Sequence, residues 1–385
     1  MEIGIIGLGT MGQGIAQVFA TAGYEIMLFD TFEGATQKAK ISIEKSLEQL
    51  VQKSKLSTTE AKIIESKFHW KSNLNEFYSC ELIIEVIKED LSLKKELFSQ
   101  LNKIISDTCI VATNTSSLSI TALASTVLFP DRFIGVHFFN PATIMPLVEV
   151  IPAIQTSQKT IDTVKQILLK SKKVIVQAID TPGFIVNRLA RPFYGEAIKM
   201  YEEGIADIET IDWAMTEIGG FKMGPFTLMD FIGHDINYAV TESIFNAFYY
   251  DSRYKPSFTQ KRLLEAGFLG RKSGRGFYQY HNSEIKSTPN KDFTLGKNIV
   301  NQILVMLINE AAEALLLQVA TKEDLELAMT KGVNYPKGLL TWADEIGIQN
   351  CVNQLDELFN KYHDTRYRCC VLLREYAAKN ITFFQ

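Results

Sequence analysis

The chain has 385 residues, with 40 Lys and Arg against 44 Asp and Glu, a formal net charge of −4 and 46% hydrophobic residues. That length holds two or three domain cores, the spread of both signs gives bulk electrostatics no hold on nucleic acid, and no uninterrupted apolar run reaches the roughly 20 residues of a membrane span. The five cysteines are odd in number and lack paired C-x-x-C spacing, which argues against a disulfide framework or a metal centre and for buried thiols.

Glu2–Ile6 reads as a strand that starts almost at once, with no basic-then-apolar leader, so a cytoplasmic protein is expected. It runs into Gly7-Leu8-Gly9-Thr10-Met11-Gly12-Gln13-Gly14, a helix over 15–22, and a second strand, Glu25–Phe29, with Asp30 at its end. This order is what a dinucleotide site needs. Gly7 allows the tight turn, Gly9 lets backbone approach the pyrophosphate, Gly12 lets helix and strand pack, and the phosphates sit on the helix N-terminus. Asp30 accepts hydrogen bonds from ribose hydroxyls and repels a 2′-phosphate; with Thr31 and Phe32 after it and no arginine, NAD is preferred over NADP.

Residues 33–68 are helical in pattern, with a helix start at Ser57-Thr58-Thr59-Glu60, and predict a helical hairpin inserted in the nucleotide domain. A strand over 82–87 ends in Lys88-Glu89-Asp90, a helix follows over 92–105, and a strand over 109–112 delivers Thr113-Asn114-Thr115-Ser116-Ser117 at a carboxyl end, where an open α/β sheet binds its ligand. Apolar runs at 134–139 and 147–151 flank the break Asn140-Pro141-Ala142-Thr143, and a returning chain brings Glu149 beside His137. An imidazole that removes an alcohol proton becomes cationic, and a carboxylate beside it fixes its tautomer and stabilises the imidazolium. A helix over 157–171 and a strand over 174–176 complete a strand–helix alternation that predicts a parallel, doubly wound sheet over residues 1–180.

Thr181-Pro182-Gly183-Phe184-Ile185-Val186-Asn187-Arg188 ends the alternation and opens a mostly helical domain over 181–281. A polar linker is expected at 282–296, and then the chain repeats itself. Ala214-Met215-Thr216 recurs as Ala328-Met329-Thr330, Gly224 as Gly338, Asp230 as Asp344 and Gly233 as Gly347, all at one offset (329 − 215 = 344 − 230 = 114), which indicates a duplicated domain. The second copy, 297–385, reads as truncated, without a counterpart to Asn187 or to the glycine-rich segment 270–278, and as a packing element.

GLGTMGQGIA, ATNTSSLSI, HFFNP, LVEVI, TPGFIVNRL, GPFTLMDFIG and GRKSGRGFY together resemble the L-3-hydroxyacyl-CoA dehydrogenase family over almost the whole chain, in particular its 3-hydroxybutyryl-CoA dehydrogenases. The resemblance implies a Rossmann-type domain followed by the helical domain, NAD as cofactor and an acyl-CoA substrate. It makes His137 the general base, Glu149 its partner, and Ser116 and Asn187 the hydrogen-bonding residues for the reacting oxygen and the thioester. Gly7, Leu8, Gly9, Thr10, Met11, Gly12 and Asp30 would bind the dinucleotide; Glu89 and Asn140 would line the nicotinamide and its ribose, with Lys94 near cofactor and substrate. Ser46 and Lys53 match positions that touch CoA. Short members dimerise through the helical domain, so the second copy implies either a pseudo-dimeric monomer or a homodimer. The rival readings are a gulonate-type sugar-acid dehydrogenase and a non-catalytic dinucleotide-binding protein.

Overall fold

A computed structural model of the chain describes residues 1–280 and 288–384. Two compact units make it up, Met1–Thr181 and everything from Pro182 onward.

In chain order the first unit comprises β1 (Glu2–Ile6), α1 (Thr10–Thr21), β2 (Glu25–Phe29), α2 (Ala35–Gln52), α3 (Thr58–Glu65), β3 (Phe68–Trp70), β4 (Leu82–Glu85), α4 (Leu91–Leu101), β5 (Ile110–Thr113), α5 (Ile120–Ala124), β6 (Phe133–Phe138), β7 (Leu147–Pro152), α6 (Gln158–Lys170) and β8 (Val174–Gln177). The strands form one sheet in the order β3-β2-β1-β4-β5-β6-β7-β8. Strand order reverses between β1 and β4, the crevice where doubly wound sheets bind their ligands. The first six strands are mutually parallel. The expected parallel sheet holds over these six strands, and at the far edge the return expected after β6 makes β7 antiparallel to it, with β8 running along β7. No helix lies between β6 and β7, and without a crossover the chain can only return antiparallel.

The helix expected over 15–22 begins earlier, at Thr10, so Gly12 and Gly14 are helical. A glycine costs roughly 1 kcal/mol in a helix interior. Packing requires it here, since a Cβ on Gly12 would lie 1.9 Å from the Gly7 carbonyl oxygen and one on Gly14 would lie 3.2 Å from Ala142 Cβ. The hairpin insertion is α2 and α3, and Ser57 and Glu60 form a reciprocal capping box at the start of α3. β3, three residues at the sheet edge, is too short to show a period and went unread.

The helical unit comprises α7 (Val186–Leu189), α8 (Arg191–Glu202), α9 (Ile208–Trp213), α10 (Pro225–Ile232), α11 (His234–Ala247), α12 (Phe258–Glu265), α13 (Phe293–Leu316), α14 (Lys322–Leu327), α15 (Leu339–Ile346), α16 (Ile348–Tyr362) and α17 (Val371–Lys379). The repeat is structural. Ala214–Ile218 and Ala328–Gly332 are both π-helical turns, and Gly233 and Gly347 end α10 and α15 with the same positive φ, +97° and +90°. Asp212 caps α10 through the N–H groups of Phe226 and Thr227, and Glu326, 114 residues later, caps α15 through those of Leu340 and Thr341.

Two expectations about the second copy are corrected. Ile185-Val186-Asn187 does recur, as Ile299-Val300-Asn301 at the same offset, hidden because a three-residue match inside a long apolar helix carries little signal. The glycine-rich segment also has a counterpart in its main contact. Asp230 accepts the N–H groups of Phe277 and Tyr278, and Asp344 accepts those of Phe383 and Phe384. A backbone pair serves that role, so residue identity need not repeat. Of the linker expected at 282–296, residues 282–287 lie outside the described residues, and 293–296 are the first turn of α13, capped by Asp292.

The two copies exchange polar contacts crosswise. Glu310 on α13 accepts from Arg188 Nε at 2.6 Å and Tyr254 OH at 2.5 Å; Glu196 on α8, its equivalent, accepts from Gln302 Nε2 and Tyr367 OH, each at 2.7 Å. Each glutamate is answered from the opposite copy, the self-complementary pattern of a two-fold interface. By length and composition α13 is apolar enough to cross a membrane, yet 72% of its most apolar stretch is buried inside the protein.

Candidate active site

The turn after β1 supplies a dinucleotide cradle. Gly7 has φ +101°, and a Cβ there would meet the Val86 carbonyl at 2.5 Å, so only glycine fits between β1 and the end of β4. Gly9, the N-cap of α1, has nothing within 4 Å of where a Cβ would stand and offers no side chain to the first helical N–H groups, including those of Thr10 and Met11. An anion is suited to that uncapped end. The Asp30 carboxylate at the end of β2 accepts from Leu8 N at 2.7 Å and Phe32 N at 2.8 Å, which fixes it beside the turn. Open space at Gly9, the bare helix end and the braced acid fit NAD.

His137 and Glu149 are direct cross-strand partners in the β6–β7 register. Nδ1 of His137 lies 2.6 Å from Glu149 Oε2, with His137 7% exposed and Glu149 fully buried. Low dielectric strengthens such a contact, and the carboxylate directs the Nδ1 proton toward itself. The Phe139 ring lies 4.5 Å from the imidazole. The turn joining the two strands is clamped from both sides. Gly14 of α1 abuts Ala142, and Lys173, next to β8, donates to the carbonyls of Ala142 at 2.6 Å and Met145 at 2.8 Å. Burial pushes the Lys173 ammonium down to about 8. Neither Gly14 nor Lys173 was marked as functional by the sequence; a lysine between a helix end and a strand reads as solvated.

A second cluster gathers at the ends of β4 and β5. Oε1 of Glu89 accepts from Thr115 Oγ1 at 2.6 Å, from the N–H groups of Ser116 and Ser117 at 2.8 and 3.0 Å, and from both serine hydroxyls. Burial pushes the Glu89 carboxyl up, but the Lys94 ammonium and these donors outweigh it and hold it below its ordinary value. Lys94 is buried, 2.5 Å from Glu85 and 3.4 Å from Glu89. Glu85, fully buried and raised by that burial against the pull of Lys94, also accepts from Thr113 Oγ1 at 2.7 Å. Glu85 was missed, although an acid inside the apolar run Leu82-Ile83-Ile84-Glu85-Val86 was a signal. The structure therefore brings Glu89, Lys94 and Ser116 together. Asn114 Oδ1 accepts from Phe138 N at 2.9 Å and ties this cluster to the histidine strand.

The remaining expected residues sit apart from these contacts. Asn140 is exposed in the β6–β7 turn. Ser46, on α2, donates its hydroxyl to Gln17 of α1 at 2.9 Å, and Lys53 is exposed at the end of α2; among the described residues neither shares a hydrogen bond with the dyad or with the Ser116 loop. Asn187, in the helical unit, begins α7's second residue, and its carbonyl accepts from Arg191 Nε at 2.9 Å. All five cysteines are buried and free.

Comparison with known proteins agrees with this geometry. Residues 2–181 match the model of the 3-hydroxyacyl-CoA dehydrogenase NAD-binding domain, and the model of that family's C-terminal domain matches twice, at 183–280 and 298–381. A 3-hydroxyadipyl-CoA dehydrogenase of Escherichia coli (strain K12) is 33% identical over 97% of each chain, and a 3-hydroxybutyryl-CoA dehydrogenase of Clostridioides difficile is 40% identical over 73% of this chain and all of its own. The crystal structure of an Escherichia coli K12 3-hydroxybutyryl-CoA dehydrogenase superposes with a TM-score of 0.93 over 98% of each chain at 33% identity.

Proposed function

The chain belongs to the 3-hydroxyacyl-CoA dehydrogenase family of NAD-dependent oxidoreductases, and on that premise we propose that it oxidises L-3-hydroxyacyl-CoA to 3-oxoacyl-CoA, and the reverse, with His137 as general base and acid. NAD, when bound, supplies the acceptor for the hydride leaving C3. With Nδ1 engaged by Glu149, proton transfer runs through His137 Nε2, which takes the hydroxyl proton in oxidation and returns it in reduction. Glu149 stabilises the imidazolium while it lasts. Asn187 and Ser116 hold the thioester and the reacting oxygen, which restricts the substrate to near-attack geometry. The Ser116 proton is spent on Glu89 at 3.2 Å, so donation to substrate requires the hydroxyl to turn. Lys94 acts from behind as a positioning residue for Glu89.

The observation that carries this reading is the 2.6 Å contact between two buried ionisable side chains on adjacent strands. His137→Gln should fold with an unchanged circular dichroism spectrum and lose about 1,000-fold in kcat by NADH absorbance with acetoacetyl-CoA. Full turnover in that variant rejects the base assignment. Turnover of free gulonate but not of the thioester would favour a sugar-acid dehydrogenase. The relatives' names divide between hydroxybutyryl and hydroxyadipyl chains, which end in a methyl and a carboxyl group. The crosswise Glu196 and Glu310 contacts support a pseudo-dimeric monomer, and sedimentation at one chain's mass is the expected result.

A further inference from the structure

Two equivalent arginines of the helical unit end in opposite surroundings. Ser252–Tyr254 and Thr365–Tyr367 are matching single turns, capped by Asp251 and Asp364, and Tyr254 and Tyr367 reach the equivalent glutamates Glu310 and Glu196. In the first turn the Arg253 fork is closed by Asp251, 3.2 Å from Nε and 2.8 Å from Nη2, while Glu310 and Glu313 of α13 stand 3.5 and 3.8 Å from Nη1. In the second, Asp364 accepts only the backbone N–H of Arg366. The Arg366 Nε is buried with no hydrogen-bond partner, and among the described residues no carboxylate lies within ion-pair distance of that guanidinium. At the offset of the repeat, Glu313, Asn309 and Val305 of α13 correspond to Lys199, Gly195 and Arg191 of α8. The residue equivalent to an acid beside Arg253 is thus a cation, and Arg366 Nη2 lies 3.6 Å from where a Cβ on Gly195 would stand. Arg191, one turn before Gly195, is 6% exposed. It donates to the Asn187 carbonyl and to Thr241 Oγ1, each at 2.9 Å, and to the Asn237 carbonyl at 3.4 Å. All three acceptors are neutral. Burial pushes its guanidinium below the ordinary value, opposed only by the phenols of Tyr194 and Tyr335, and a guanidinium stays charged even so.

Arg191, Gly195 and Arg366 line one cavity of about 240 Å³. Its other charges are accounted for: Lys199 and Arg253 have Glu203 and Asp251, Glu202 accepts from Ser257 Oγ at 2.6 Å, and Lys255 is exposed. We propose that this cavity binds a small dianion, carried by a phosphate group or by two carboxylates, between Arg191 of the first copy and Arg366 of the second. Guanidinium forks match either oxyanion, and a dianion cancels the two charges that the protein leaves unanswered. The volume is below the roughly 300–1,000 Å³ of pockets that hold drug-sized ligands, so the ligand is a compact one. Across the pseudo-two-fold the same place is closed. Val305 replaces Arg191, Asp251 fills the fork of Arg253, and Asn309, in place of Gly195, is engaged by Arg368 and Cys370 backbone. One site per chain follows, and its ligand ties the two copies together. The cavity lies wholly within the helical unit, and the assignment is independent of the dehydrogenase reading.

The test is calorimetric titration of the full chain, saturated with NAD so that the Gly7–Gly14 turn is filled, with inorganic phosphate and separately with succinate, ionic strength being fixed with sodium chloride. We expect one site per chain with a dissociation constant below about 1 mM for at least one of the two probes. Arg366→Gln and Arg191→Gln should each weaken it by about 10- to 100-fold, the worth of one charged hydrogen bond. Arg366 makes no side-chain hydrogen bond among the described residues, so its variant should fold with an unchanged circular dichroism spectrum and keeps the test open if Arg191→Gln does not fold. Binding of phosphate alone assigns the ligand to phosphate-bearing molecules, and binding of succinate alone assigns it to dicarboxylates. No heat from either probe, or equal heat from sodium acetate at the same ionic strength, overturns the proposal. Undiminished binding in either folded variant also overturns it, because the anion then sits elsewhere on the chain.

Discussion

The two copies of the helical domain share a backbone plan and differ in where they keep charge. In the first, Asn187 is followed by Arg188, which reaches Glu310 as a buried ion pair; in the second, Asn301 is followed by Gln302, which reaches Glu196 through a neutral amide. The first copy also places His234 against Asp230 at 2.8 Å, where the second has Ile348 at the matching position. Around Asn301 lie Gln354, Glu357 and Lys361, a polar surface suited to water. Duplication has thus kept caps, π-turns, crosswise glutamates and the Asn187/Asn301 pair, while the charges at the positions beside them, Arg188 and His234, are absent from the second copy.

The sharpest break in this near-symmetry is at the glutamates. Glu310→Ala strands Arg188 and leaves Arg253 short of a partner, and we expect a loss of about 3–5 kcal/mol in urea unfolding. Glu196→Ala removes only neutral donors' acceptor and should cost about 1–3 kcal/mol. Equal losses would mean that the charge asymmetry has no energetic weight. In catalysis, Asn187→Ala should lower kcat/KM by about 100-fold, a loss worth about 2.7 kcal/mol, while Asn301→Ala stays within about two-fold. A comparable fall in both would give the second copy a part in turnover. Asp230→Ala, which frees two N–H groups, His234 and Tyr280, should lower the melting free energy by about 1–2 kcal/mol more than Asp344→Ala, whose contacts are the two N–H groups. Calorimetry of the two variants side by side reads that difference. The smallest change is expected from Arg188→Gln, which rewrites the first copy as the second. Arg188 Nη2 is already buried without a partner, and Glu310 keeps the Tyr254 hydroxyl and Arg253 as its remaining cation, so urea unfolding should move by less than about 1.5 kcal/mol, the size of a single hydrogen bond.

Much of this molecule was readable in its sequence because short-range patterns carry it. The Gly7–Gly14 turn, Asp30 and the His137–Glu149 pairing follow from glycine spacing, an acid at a strand end and a return across a proline-containing break. What escaped depends on distant neighbours. Glu85 stands as an acid inside an apolar run, and only three-dimensional packing shows that Lys94, nine residues on, is its partner. Asn301 was overlooked because the apolar residues around it repeat without regard to register.

The contact between Gly14 and Ala142 carries one more implication. The helix whose N-terminus forms the dinucleotide cradle leans on the bend between the two strands that carry His137 and Glu149, so cradle and imidazole are referenced to the same short piece of backbone. A single methyl group added at residue 14 would press on that bend by a few tenths of an ångström and reach the imidazole indirectly, through the strands it joins. On the mechanism proposed above, the alignment of hydride and proton transfer therefore depends on a residue whose whole contribution is the absence of a side chain.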